Sequence, residues 1–333
     1  MKAMVLKETG DIEKNRLFLS EKTTPTIGNN AILIRNRFCG VCRTDLHIIE
    51  GDLSIPKLPV IPGHQIVGIV ESIGKNVTGV KVGDRVGVPW MSSTCGKCDY
   101  CKAGKENLCD NARFTGLHQD GGYAELTVVP QQFVYPIPKQ FPDEQVAPLL
   151  CAGIIGYRTL KLSGAQSGQR IGLYGFGASA HVTIQVARHF GCDVYVFTRS
   201  KDHQKHAESL GAIWTGTAED DPRIEMDANL IFAPAGWLMI EALKRVKKGG
   251  IVVSAGIHMT DLPQFPYNLI YGERTITTAA NATYEDGTEL LKYASEIPII
   301  TEIEIYPLSK ANQALQDLKN SKIKGAAVLA INN

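Results

Sequence analysis

Cys95, Cys98, Cys101 and Cys109 form a C-x2-C-x2-C-x7-C run, the densest set of metal-ligating residues in the chain. Four thiolates at that spacing can close a tetrahedral shell around one zinc ion and leave no position for a substrate, so their chemistry is structural. Residues 91–111 hold few apolar side chains. Burial alone cannot offset the entropy of ordering them, and a metal must supply most of the stability of this lobe. Disulfide pairing is the competing reading. In a large chain with no secretion signal, metal ligation is the better one.

A second motif, Gly175-Phe176-Gly177-Ala178-Ser179-Ala180, follows the apolar run Ile171–Tyr174 and opens a helical pattern carrying Ala180, Ile184 and Ala187 on one face. Glycine at 175 permits a tight turn, glycine at 177 lets backbone amides approach a pyrophosphate, and Ala180 is small enough for close helix–strand packing. Alone the string is a weak signal; set among alternating strands and helices it marks a dinucleotide site. At the end of the next strand, where NAD enzymes usually carry an acid, stand Thr198, Arg199 and Ser200. A guanidinium flanked by hydroxyls suits a 2′-phosphate, so NADP(H) is expected in preference to NAD(H). Alternatively, Arg199 stacks on the adenine of an NAD enzyme.

A third stretch, Cys39-Gly40-Val41-Cys42-Arg43-Thr44-Asp45-Leu46-His47, combines thiols, a hydroxyl, a carboxylate and an imidazole. A bare C-x-x-C suggests redox chemistry or half a zinc ribbon, but no second such pair follows at ribbon distance.

These groups need rigid elements to hold them. At 333 residues the chain exceeds what one core usually serves, which favours two domains. Residues 1–150 hold short apolar runs broken by Gly and Pro, at Ala31 to Ile34, Ile66 to Ile73 and Tyr123 to Val129, and read as compact β structure. From Arg170 the rhythm changes. Strand-like Ile171–Tyr174, Val194–Phe197, Leu230–Phe232 and Ile251–Val253 alternate with helices, which implies a parallel sheet. Helical patterns near Asp286 to Glu296 and Lys310 to Asn320 and a short strand from Ala327 to Ile331 close the chain.

With 35 basic and 34 acidic residues the chain has no electrostatic footprint for nucleic acid or an anionic membrane. Small or cofactor-borne ligands are expected. The longest apolar stretch, around Leu149 to Tyr157, falls well short of the ~20 residues that span a bilayer, and the N-terminus lacks a signal-peptide core. A soluble, cytoplasmic protein is expected.

The cysteine run, joined to Cys42, Gly63-His64 and Cys151, resembles the zinc-containing alcohol dehydrogenases of the medium-chain dehydrogenase/reductase family, over about Met1 to Ile331. The resemblance implies an α/β fold: a GroES-like β-rich catalytic domain, residues 1–150 and 284–333, interrupted by a Rossmann doubly wound parallel-sheet domain, 151–283. It implies a catalytic zinc on Cys42, His64 and Cys151, with Cys39 a small buried residue. Two thiolates and one imidazole leave a fourth position for water or substrate oxygen, and Asp45 is expected to fix the His64 tautomer. With the structural site, about two zinc ions per chain follow. A cysteine as third ligand argues against the polyol dehydrogenase branch, where the family leads one to expect a carboxylate.

The reaction implied is interconversion of small alcohols with aldehydes or ketones. Zinc lowers the pKa of bound water from about 15.7 to about 7 and similarly acidifies an alcohol, which then gives hydride to the nicotinamide. By the same resemblance Thr44 touches the substrate oxygen, and the proton leaves through the nicotinamide ribose to His47. Arg43 meets the pyrophosphate, and Trp90 walls the substrate pocket. The bland alternatives are that Thr44 caps a helix, that His47 is a surface residue and that Trp90 packs beneath the cysteine lobe. Relatives of this length are commonly tetramers, so a homo-oligomer is expected by analogy. Two positions depart from the family pattern. Gln65 replaces the glutamate usual after His64, and Lys324-Gly325-Ala326 stands where relatives often present Gly-Arg, leaving Lys324 or Arg199 to compensate. From a different class, a zinc-stabilised sensor that holds nucleotide without turnover would carry the same motifs.

Overall fold

The computed structural model describes residues 1–297 and 299–331; the remainder of the C-terminal segment assigned above to the catalytic domain, residues 298, 332 and 333, lies outside them. The chain divides into two units, one of Met1–Cys151, Thr283–Ser295 and the segment from Ile300 on, the other of Ala152–Ala282 and Glu296–Ile299.

The first unit is built on a seven-stranded sheet. Its spine runs Ile303–Pro307, Ala326–Ala330, Ala31–Val41, Gln65–Ile73, Arg85–Val88 and Tyr135–Pro136, with Leu126–Pro130 also paired to Ala31–Val41. Register shifts after Leu33 and Asn36 bend Ala31–Val41 against Gln65–Ile73. Such bulges let one long strand serve two curved neighbours. Ile32, Ile34, Ile66, Val70 and Val86 fill the core beneath the sheet, closed by Ile48 and Ile49 of the helix Arg43–Glu50. This core therefore fixes the helix that follows Cys42.

In the second unit, β1 (Arg170–Tyr174), β2 (Asp193–Phe197), β3 (Trp214–Gly216), β4 (Met226–Ile231), β5 (Val246–Ser254) and β6 (Thr275–Thr278) form a parallel sheet. Its order is 3-2-1-4-5-6, that of the doubly wound dinucleotide-binding fold. Helices α1 (Ala152–Ser163), α2 (Ala178–His189), α3 (Lys201–Ser209) and α4 (Trp237–Lys244) connect and cover it. Ile171, Leu173, Val194 and Val196 are all fully buried, as strands covered on both faces require.

The sequence reading lacked β3 and β6. Both are short edge strands, Trp-Thr-Gly and Thr-Ile-Thr-Thr, with no apolar run to announce them. Tyr123 was read into a strand that begins only at Leu126. Among the described residues no helix is long and apolar enough to cross a membrane.

Candidate metal and nucleotide sites

Cys42 follows the strand Ala31–Val41 and stands as N-cap of the helix Arg43–Glu50 in extended conformation, φ −126°. His64 opens the strand Gln65–Ile73. Gly63 before it has φ +98°, and a Cβ there would lie 2.4 Å from Tyr123 Cδ1, so backbone and ring fit only around glycine. Cys151 sits between the turn Ala147–Leu150 and α1. One donor atom from each of Cys42, His64 and Cys151 lies within 4.8 Å of the others.

Beneath them is Asp45, fully buried. Its Oδ1 accepts from Gly63 N at 3.1 Å and lies 2.9 Å from His64 Nδ1. Oδ2 accepts from Cys42 N at 3.0 Å and Tyr123 Oη at 3.1 Å. With Nδ1 so occupied, Nε2 is the nitrogen facing the sulfurs, and it is buried with no hydrogen-bond partner. Burial works to lower the His64 pKa, but the Asp45 charge and hydrogen bond outweigh it and push the ring up to about 10. The hydrogen bond between the two sulfurs holds Cys42 well below its ordinary value and, with burial, drives Cys151 well above. A thiolate at Cys42, a second sulfur at Cys151 and an inward-facing ring nitrogen make a donor set that suits a cation. Two sulfurs and one imidazole suit a borderline-soft ion such as zinc with one position open.

Trp90 is buried, edge-on to His64 at 4.9 Å between centroids, and stacks on Phe114 at 4.7 Å. Thr44 is buried with Oγ1 3.7 Å from Cys42 Sγ. His47 lies one turn further along the helix, its side chain 12% exposed, with Nδ1 2.7 Å from Asp52 Oδ2. Sequence reasoning missed three of these partners, Tyr123, Asp52 and Phe114.

In the lobe, Cys95, Cys98, Cys101 and Cys109 present sulfurs all within 4.8 Å of one another. The Cys98 and Cys101 sulfurs are 3.5 Å apart and the Cys95 and Cys101 sulfurs 3.9 Å, too far for a bond of about 2.05 Å. Every cysteine of the chain is free. Cys98 N and Cys101 N donate to the sulfurs of Cys95 and Cys98 at 3.4 and 3.5 Å. Backbone donors at Lys97 and Cys98 bring Cys95 down to about 6. No residue of the helix Asp99–Lys102 is buried, so the lobe has little core of its own.

In the second unit, Gly175 has φ +87°, and a Cβ there would meet Ala233 at 3.0 Å. Gly177, the N-cap of α2, has open space where a Cβ would stand and no side chain capping the helix. The N-terminus of α2 is thus left without a side-chain cap and with open space beside Gly177. Ala180 is fully buried. At the end of β2, Thr198 is buried and its N donates to Gly216 O at 2.7 Å. Ser200 Oγ accepts from His203 N at 3.4 Å as the N-cap of α3. Arg199 is exposed, and it makes no hydrogen bond or ion pair among the described residues. Arg43, at the first position of its helix, is exposed and equally free among them. Of the departures, Gln65 is buried, and Lys324 Nζ is 2.7 Å from Glu302, which leaves Arg199 the uncommitted cation of the two.

Residues 28–139 match the model of the alcohol dehydrogenase GroES-like domain and residues 180–296 that of zinc-binding dehydrogenases. "Probable alcohol dehydrogenase AdhA" of Mycobacterium tuberculosis is 42% identical over 99% of this chain and 97% of its own length. A cinnamyl alcohol dehydrogenase structure from Sorghum bicolor superposes with TM-score 0.90 at 28% identity, covering 99% of this chain and 97% of that one. The structure of CAD from Helicobacter pylori, complexed with NADP(H), does so with TM-score 0.90 at 26% identity and the same coverage. Together with the GroES-like sheet and the Rossmann order of the second unit, these likenesses establish that the chain belongs to the zinc-binding alcohol dehydrogenases of the medium-chain dehydrogenase/reductase family, oxidoreductases acting on alcohols.

Proposed function

We propose that the chain is a zinc-dependent oxidoreductase that interconverts alcohols with aldehydes or ketones and uses NADP(H) in preference to NAD(H). The observation that carries this is the convergence of Cys42, His64 and Cys151 on one point, with the buried Nε2 of His64 unpartnered. Bound there, zinc supplies Lewis acidity that acidifies an alcohol or polarises a carbonyl, and the dinucleotide supplies or takes the hydride.

The chain's own residues do the rest. Cys42, its thiol held well below the ordinary value, brings negative charge to the metal point, and Cys151 brings a second sulfur. Asp45 holds Nδ1 of His64, so that the other ring nitrogen faces the sulfurs. The Thr44 hydroxyl, next to Cys42 Sγ, is the group beside the reacting oxygen, and His47, seated on Asp52, releases the proton to solvent. Trp90 walls the substrate side. Gly175, Gly177 and Ala180 receive the pyrophosphate, with Arg43 as a further cation. The free guanidinium of Arg199, between the hydroxyls of Thr198 and Ser200, supports recognition of a 2′-phosphate. The NADP(H) complex of the Helicobacter pylori relative points the same way. A homotetramer belongs to the same reading and rests on chain length.

The test is metal analysis with an aldehyde panel run on both cofactors. About two zinc ions per chain are expected, with higher catalytic efficiency on NADPH. Charge-assisted bonds contribute about 1.5–3 kcal/mol, so Arg199→Ala should lower efficiency with NADPH roughly 10- to 100-fold and spare NADH. A clear NADH preference in the parent removes the cofactor assignment. Nucleotide binding with no turnover on any alcohol or carbonyl removes the enzyme.

A further inference from the structure

We infer that Tyr123 is a positioning residue for the metal centre, acting through Asp45 on His64; the inference rests on the metal reading of Cys42, His64 and Cys151. Asp45 is a buried carboxylate with four donors, two to each oxygen. Two of those donors are backbone amides, Cys42 N and Gly63 N, and belong to the very segments that carry metal donors. The third is the His64 ring. The fourth, the phenol of Tyr123, comes from a distant stretch of chain, and its hydroxyl makes no other hydrogen bond among the described residues.

Tyr123 also grips the backbone that presents His64. Its N donates to Pro62 O at 3.0 Å, and Gly122 N donates to Gly63 O at 2.9 Å. The ring lies so close over Gly63 that a Cβ at that residue would sit 2.4 Å from Cδ1. An oxygen held by a single donor is held loosely, so Asp45 keeps freedom to turn about its side-chain torsions unless each oxygen has two donors. With Cys42 N alone on Oδ2, rotation would trade the His64 bond for another, and Nε2 would leave the direction of the sulfurs. The Tyr123 hydroxyl completes the shell that prevents this. Groups behind a ligand that orient it in this way are worth 10–100-fold in metal affinity or activity.

Tyr123→Phe keeps the ring over Gly63 and removes only the hydroxyl. Zinc at the three-donor centre should then transfer to a colorimetric chelator roughly 10-fold faster, the low end of that span, while zinc of the cysteine lobe keeps its parental rate. The visible bands of the cobalt-loaded centre should shift, and kcat should fall with KM for NADPH unchanged. In an Asp45→Asn background the same substitution should have no further effect, because its route to His64 is already cut. Parental release rate and cobalt spectrum in Tyr123→Phe overturn the inference, as does an effect that simply adds to that of Asp45→Asn. His64→Ala separates the two levels. If it still holds about two zinc ions, the metal reading fails; if it holds about one while Tyr123→Phe matches the parent, only the role of Tyr123 falls.

Discussion

The indole of Trp90 stands edge-on to the imidazole of His64, ring centroids 4.9 Å apart and planes at 69°, while its face stacks on Phe114 at 4.7 Å and 9°. One aromatic ring thus braces the His64 imidazole and is itself braced from behind. Truncating a buried Trp removes both contacts. Trp90→Ala should cost about 3–5 kcal/mol of stability in denaturant titration. If the ring also walls the substrate, the ratio of catalytic efficiencies on aryl and alkyl aldehydes should change. An unchanged ratio would leave Trp90 a packing residue only.

Gly175 and Gly177 are two residues apart yet constrained differently. Gly175 is in the left-handed region at φ +87° against Ala233, whereas Gly177 is extended with nothing near its missing Cβ. Gly175→Ala should therefore destabilise the fold, by about 1–3 kcal/mol for an alanine held in that region. Gly177→Ala should leave the melting temperature near the parent's and weaken dinucleotide binding, because the added methyl fills space kept for a ligand. Equal loss of stability in both variants would show that the open space at Gly177 is needed for folding.

His47 offers a pH experiment. Its ring is held 2.7 Å from Asp52 and is largely covered. If it passes the proton to solvent, His47→Gln should lower turnover most at low pH, where hydroxide is too scarce to replace it. A uniform drop across the pH range would instead indicate a role in packing.

The cysteine lobe predicts a stability effect with little catalytic content. Cys98→Ser removes one of four sulfurs within 4.8 Å of one another. On the proposed two-zinc reading, zinc should fall from about two ions to about one and the melting temperature should drop, because a structural metal contributes to folding free energy. Retention of both ions would show that the lobe does not need Cys98 as a ligand.

The sequence by itself determined the architecture of the nucleotide-binding unit, because its signals are local. A glycine turn between an apolar strand and an amphipathic helix, repeated in strand–helix alternation, leaves few topologies. It likewise set the cysteine lobe, whose four donors fall within 15 consecutive residues, from Cys95 to Cys109. Strands at the sheet edges escaped, since three or four residues with no buried face carry no periodicity.

Cys42, His64 and Cys151 are another matter. Cys42 and His64 are separated by a helix and a loop, and Cys151 by several strands more, and only a family resemblance joined them in one dimension. What brings the first two together is the antiparallel pairing of Ala31–Val41 with Gln65–Ile73, in which Gly40 opposes Gln65 and so sets Cys42 and His64 at adjoining strand ends. The Asp45 shell, the Tyr123 clamp and the Trp90 brace were decided only by tertiary structure. Each depends on the direction of a side chain across a buried pocket, and that direction is fixed by packing and by the need to satisfy a buried charge, neither of which has a signature along the chain.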